Sequence, residues 1–219
     1  MVVASVVLAG CSASGPGMPG PSSAGPSSAT SSPSLGTPTV APSSPKSATP
    51  TGWTTPAVDD AATDALLAKH GLAGKSVEDV IAALESSTDK RPLALTAVVK
   101  QTVLELSDGT ASGAMVLPAD RFYLAVAPAK AGNKACTQHN LSVDQGELRN
   151  FAVHVVINDA NNSPLVDADA TTNANGFVGF WLPRDRKGLI TMTAGSLSGQ
   201  TSYATGPGSP TCRTGLTLS

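Results

Sequence analysis

Short apolar segments with a period of two, separated by turn-forming residues, fill the chain from Pro92 to its end. This alternation places apolar side chains on one face of an extended chain and is typical of half-buried β-strands. A hairpin is predicted where Val103–Leu106 leads through the turn Ser107-Asp108-Gly109 into Ala114–Leu117. Further strands are predicted at 122–126, 153–157, 165–169, 177–182, 189–193, 201–204 and 212–218. So many short strands in succession predict a β-sandwich.

Two helices are predicted ahead of these strands. The first runs from Pro56 to His70, with proline in the first turn and Gly71 just beyond the last. The second begins at Ser76, whose hydroxyl suits an N-cap, and ends near Ser86. Its apolar residues recur at helical spacing on one face, namely Val77, Val80, Ile81 and Leu84.

The predicted fold class is therefore α+β, mostly β. A short N-terminal helical segment packs on an antiparallel sheet in a domain at 56–148, and a C-terminal β-sandwich domain follows at 149–219. Within the latter, residues 152–194 resemble a transthyretin-like unit. Residues 12–55 are a Pro- and Ser-rich tether with too few large apolar side chains to collapse, which follows a short leader at 1–11.

The leader ends in a motif that predicts a lipid anchor. An apolar stretch, Val2–Leu8, runs into Leu8-Ala9-Gly10-Cys11, which resembles the lipobox of bacterial lipoproteins. That resemblance implies acylation of Cys11 and attachment to the extracytoplasmic face of the cell membrane. No other segment is long and apolar enough to be a transmembrane helix. The tether would then extend the folded part by roughly 100 Å from the membrane.

Charge excludes one class of partner. The formal net charge is −2, and the lysines and arginines are scattered along the chain. A nucleic-acid-binding surface needs a concentrated basic patch, so we expect no nucleic-acid partner.

The two remaining cysteines, with the nearby histidines, are the candidate functional residues. A thiolate and an imidazole three residues apart in Cys136-Thr137-Gln138-His139 can face one ion, and Cys212 is the natural third donor. A Cys136–Cys212 disulfide is the alternative, and it is normal in an exported domain. His154 alternates with valines on a predicted strand, which indicates either a half-buried strand histidine or a residue that supports a metal ligand.

Ordered blocks of sequence across about 60–217 resemble the CueP family of extracytoplasmic copper-binding proteins. These blocks are 118–128, Cys136-x-x-His139-x-Leu141, 145–148, 153–155, 175–177, 179–185 and Cys212. The resemblance implies copper binding through cysteines, a contribution to copper tolerance, and in some bacteria supply of copper to a Cu,Zn superoxide dismutase. It also implies reduction of Cu(II) to Cu(I) by the cysteines.

Carried over to this chain, the resemblance implies Cys136, His139 and Cys212 as copper ligands and Cys136 with Cys212 as a redox pair. Some family members have a further cysteine where this chain has Asp144, so a three-thiolate site is impossible here. We therefore expect a lipoprotein that sequesters Cu(I). It would be a metal-binding protein more than an enzyme, although it could act as a stoichiometric Cu(II) reductase. The alternative is a metal-free, disulfide-stapled β-sandwich that binds a protein or cell-wall partner.

Overall fold

A computed structural model describes residues 60–219, which contain two helices followed by eleven strands. The helices are α1 (Ala61–Lys69) and α2 (Val77–Ser86). The strands are β1 (Thr96–Val99), β2 (Val103–Ser107), β3 (Ser112–Val116), β4 (Arg121–Ala129), β5 (His139–Asn140), β6 (Ala152–Asp159), β7 (Pro164–Thr171), β8 (Val178–Pro183), β9 (Lys187–Ala194), β10 (Leu197–Ala204) and β11 (Cys212–Thr217). The prediction of an α+β, mostly β fold is confirmed.

Both helices have side-chain caps, and α1 begins later than the sequence predicted. Asp60 is not in the helix but precedes it in an extended conformation, where its carboxylate accepts the Thr63 N–H at 2.9 Å. The expected start at Pro56 lies outside the described residues. In α2 the predicted cap is confirmed, because the Ser76 hydroxyl accepts the Asp79 N–H at 3.1 Å.

The strands form three sheets, and the middle one separates two hydrophobic cores. The outer sheets have the orders β3-β2-β1-β5 and β10-β9-β6-β7, and the middle sheet has the order β11-β4-β8. Successive side chains of a strand point to opposite faces. Accordingly Tyr123 and Ala125 of β4 belong to the core under the helices, whereas Phe122 and Leu124 belong to the core of the C-terminal sheet.

The middle sheet takes strands from both sides of residue 148. Strand β4 comes from the predicted domain 56–148, and its neighbours β8 and β11 come from 149–219. Strand β8 is antiparallel to β4 and β11 is parallel to it. This parallel pairing brings the start of the last strand, Cys212, opposite Ala125 in the interior.

Two strands near the candidate site were not predicted. Strand β1 pairs with the two-residue strand β5, in the register Val98 to Asn140 and Val99 to His139. A two-residue strand is too short to produce a periodic pattern, and only its pairing with β1 defines it.

In the described part of the chain, no helix reaches the length and hydropathy that crossing a membrane requires.

Candidate metal centre

A disulfide joins Cys136 and Cys212 across 76 residues of sequence, with 5.8 Å between the two Cα atoms. The predicted disulfide is therefore present. Thr211 aligns the two segments that carry the cysteines, because its N–H donates to Thr137 O at 2.9 Å. Its hydroxyl also accepts the His139 N–H at 2.9 Å and donates to Val99 O at 2.8 Å.

The third group beside the two sulfur atoms is a carboxylate. Asp144 Oδ2 lies 3.6 Å from Cys136 Sγ. Among residues 60–219, Cys136, Asp144 and Cys212 are the set whose potential ligand atoms all lie within 4.8 Å of one another. Cys212 is fully buried, whereas Cys136 and Asp144 are partly exposed. Of the two cysteines, Cys136 is therefore the one with exposed surface.

His139 lies directly behind this set and is completely buried. Its Nδ1 is 3.1 Å from Asp144 Oδ2, and its Nε2 is 2.8 Å from Glu85 Oε1. The imidazole therefore bridges two carboxylates, one at the sulfur site and one in the core. Its ring also packs on Phe177, with 4.4 Å between ring centroids.

Glu85 is the centre of a buried polar cluster. Besides His139, the Glu85 carboxylate accepts the Tyr123 hydroxyl at 2.8 Å and an amide N–H of Asn175. All of these groups are buried. A carboxylate in a protein core is tolerated only when its oxygens are fully paired, and here they are.

Electrostatics makes His139 a cation in this state. Burial of the ring disfavours its charge, but the Glu85 carboxylate and the hydrogen bonds to Asp144 and Glu85 outweigh burial and raise the pKa of His139 to about 9. Burial likewise opposes ionisation of Glu85, yet attraction to His139 and three hydrogen bonds lower the pKa of Glu85. Both ring nitrogens of a protonated imidazole donate, which matches one carboxylate on each side.

The structure places some of the sequence-predicted site residues close together and others apart. Cys136 and Cys212 are bonded, and His139 adjoins them through Asp144. His154 lies in another sheet, on β6, with 43% of its side chain exposed. Its ring nitrogens are 2.9 Å from Asp169 Oδ1 and 3.2 Å from Asp167 Oδ1. Cys11 lies outside the described residues.

Sequence reasoning missed Glu85, although a signal for it existed. A glutamate near the end of a surface helix is ordinarily solvated. Glu85, however, follows Val77 and Ile81 at intervals of eight and four residues, which places it on the buried face of α2. A carboxylate on an apolar face requires a polar partner in the core, and His139 is that partner.

The donor set fits copper once the disulfide is reduced. Two thiolates are soft ligands that favour Cu(I), and imidazole is a good donor to copper in both oxidation states. The carboxylate of Asp144 is hard and suits Cu(I) poorly. In the oxidised state described here neither sulfur is a thiolate, so the pair offers a soft anionic ligand only after reduction.

Comparison with known proteins agrees with this chemistry. The family model for the periplasmic copper-binding protein CueP matches residues 79–217. A solved structure described as "Crystal Structure of S.CueP" is 35% identical, with a TM-score of 0.70, and the match covers 73% of this chain and 99% of that chain. No curated protein gives a significant match. The chain therefore belongs to the CueP family of periplasmic copper-binding proteins.

Proposed function

We propose that this protein sequesters Cu(I) outside the cytoplasm through the thiolates of Cys136 and Cys212. The observation that carries the proposal is the meeting of these two cysteines at one partly exposed point in a chain of a copper-binding family. Two thiolates matched to a soft ion give tight binding without a resident cofactor. Copper is thus the cargo of the site.

The same pair supplies the electrons for reduction of Cu(II). Two Cu(II) ions each accept one electron from the dithiolate, and the two sulfur atoms form the Cys136–Cys212 bond, so the products are two Cu(I) ions and the disulfide. The oxidised and the copper-binding forms are then two states of one site. Reduction is stoichiometric unless an external reductant restores the thiols.

His139 is the proposed third donor to Cu(I). Its Nδ1 lies 3.1 Å from Asp144 Oδ2, and the same oxygen is 3.6 Å from Cys136 Sγ. Copper binding requires Nδ1 to lose its proton. The nitrogen would then take the ligand position that Asp144 Oδ2 could otherwise occupy. Because imidazole is the softer donor, this exchange favours Cu(I). Asp144 and Glu85 hold the ring in place in the copper-free state.

The lipid anchor and the tether complete the proposed function. An acylated Cys11 would keep the protein at the membrane, while residues 12–55 let the folded part reach copper entering the cell wall. The resemblance to CueP supports a contribution to copper tolerance and delivery to an acceptor such as a Cu,Zn superoxide dismutase. The metal-free, disulfide-stapled binding module predicted as the alternative is also compatible with the disulfide, but the family match favours copper.

A copper titration tests the proposal on the full chain carrying Cys11→Ala. We expect the reduced protein to retain one Cu(I) against a competing chelator and the oxidised protein to retain none. Added Cu(II) should appear as Cu(I) in a chromophoric Cu(I) chelator, with loss of the free thiols. Equal retention by the oxidised and reduced proteins would refute the thiolate site.

A further inference from the structure

The disulfide has one sulfur that an external molecule can reach and one that it cannot. We propose that a low-molecular-weight thiol reopens the pair by entering a recess beside Cys136 and attacking Cys136 Sγ, with Cys212 as the sulfur that leaves. The biological purpose of this step rests on the proposed function, because only a copper-reducing pair must be restored to the thiol form. The chemistry itself is independent of copper.

Burial makes the two sulfurs unequal. Cys212 opens β11 in the middle sheet, has no exposed surface and belongs to the core under the helices. Cys136 lies in the loop between β4 and β5 and is only partly buried. Thiol–disulfide exchange requires the attacking thiolate to reach the sulfur along the line of the S–S bond. Cys212 has no exposed surface for such an approach, whereas Cys136 keeps part of its surface exposed.

A recess of about 560 Å³ adjoins Cys136. It lies between the loop at 132–136 and the segment at 143–147, and Arg149, Phe177 and Thr214 complete its wall. This volume is within the range of small-molecule sites, which are roughly 300–1,000 Å³. A tripeptide-sized thiol fits such a space.

The loop that leads to Cys136 is held in place, so the recess is preformed. Glu147 Oε2 accepts the N–H groups of Lys130, Ala131 and Gly132 at 3.1, 2.9 and 3.2 Å. In return, Asn133 Oδ1 accepts the Glu147 N–H at 2.8 Å. These bonds connect the two walls of the recess directly. A small thiol would therefore bind without paying for ordering of this loop.

The charges lining the recess do not exclude an anionic thiol. Lys134 and Arg149 oppose Asp144 and Glu147 along its wall. The Glu147 carboxylate is already compensated by the three backbone N–H groups. Glutathione, with its carboxylates, is for this reason a suitable probe of the site.

The thiol–disulfide exchange proceeds in two steps. The incoming thiolate forms a bond to Cys136 Sγ while the Cys136–Cys212 bond breaks, and the electron pair leaves on Cys212, which takes up a proton. A second thiol molecule then attacks the bound one, which releases Cys136 as a thiolate and a low-molecular-weight disulfide. The pair has gained two electrons and two thiol molecules have lost them.

Mapping of the first adduct tests the proposal. The oxidised, copper-free full chain carrying Cys11→Ala is treated with limiting glutathione, quenched early with acid and then alkylated. Trypsin separates the cysteines into the peptides 135–149 and 188–213. We expect a mass shift of one glutathione on 135–149 and the alkyl group on 188–213. Glutathione mainly on 188–213, an equal division, or no adduct at either cysteine would overturn the proposal.

Single-cysteine variants provide the matched control. The free Cys136 of Cys212→Ser should react readily with an aromatic disulfide. The free Cys212 of Cys136→Ser should react on the order of a hundredfold more slowly, because its thiol must wait for local opening of the fold. Both should react alike in denaturant. The adduct map does not depend on these variants folding, and a failed copper titration would leave its result unchanged.

Discussion

At the scale of single residues, the proposed copper site depends on its two sulfur atoms. Thiolates match Cu(I), and a serine hydroxyl in the same place is a hard and protonated group. We expect Cys136→Ser and Cys212→Ser each to abolish tight Cu(I) binding by the reduced protein, measured by chelator competition. If both variants retain copper as the unsubstituted chain does, the copper site lies elsewhere.

The His139 imidazole and the Asp144 carboxylate should differ in their contribution to the affinity for Cu(I). His139→Ala should weaken Cu(I) binding by about ten- to a hundredfold, which is about 1.4–2.8 kcal/mol. Asp144→Ala should change it little, because a hard oxygen contributes little to a soft ion. The measurement is the same chelator competition, on variants shown by circular dichroism to be folded. A loss with Asp144→Ala as large as that with His139→Ala would identify the carboxylate as the third ligand.

The buried pair of His139 and Glu85 makes a prediction about stability. Glu85→Gln leaves the imidazole without its charged partner in the core, so we expect a loss on the order of 3 kcal/mol in the free energy of unfolding. The pKa of His139, about 9, lies above its ordinary value of 6.5. Its protonation therefore stabilises the fold fully below pH 6.5, and this contribution is lost as the pH rises through about 9.

Denaturant unfolding of the oxidised protein at several pH values measures both effects. The free energy of unfolding should fall between pH 6.5 and 9 in the unsubstituted chain and change much less in Glu85→Gln. If the free energy of unfolding falls as much with pH in Glu85→Gln as in the unsubstituted chain, this pair does not cause the pH dependence.

At the scale of elements, the middle sheet positions the polar cluster because β8 passes close to Tyr123. Gly179 of β8 pairs with Ala125 of β4, and a Cβ built on Gly179 would lie 2.0 Å from the Tyr123 hydroxyl oxygen. A side chain there displaces the ring that donates to Glu85. The glycine is thus required by the close approach of the strand to the cluster.

Gly179→Ala should destabilise the fold by about 1–3 kcal/mol through overpacking. Gly215→Ala is the matched control on β11, because a Cβ there meets no atom within 4 Å. Its effect should stay within about 0.5 kcal/mol. Thermal or denaturant unfolding measures the stability of the two variants. Equal losses of stability would contradict a steric conflict between the new Cβ at position 179 and Tyr123.

At the scale of the whole molecule, the proposed membrane attachment depends on Cys11, which lies far along the chain from Cys136 and Cys212. Acyl chains on this residue would give durable membrane attachment. We expect the full-length protein from its host to partition into a detergent phase and the Cys11→Ala variant to remain in the aqueous phase. Equal partitioning of the two would contradict the lipoprotein assignment.

Local sequence was sufficient to predict the features of this protein that depend on residues close together in the chain. Period-two alternation predicted the strands from β2 to β4 and from β6 to β11, and Ser76 predicted the start of α2, because strand faces and helix caps are set within a few residues. The sequence blocks around Cys136 and Cys212 were sufficient to identify the family. A disulfide between them was predicted as one of two alternatives.

Tertiary structure decided the surroundings of the sulfur atoms. The contact of Glu85 with His139 spans 54 residues, and that of Asp144 with Cys136 depends on the conformation of the intervening loop. The short strand β5 exists only through its pairing with β1. These features follow from burial and pairing between distant segments. Periodicity indicates which face of a helix or strand is buried, but it does not identify the distant residue that packs against that face.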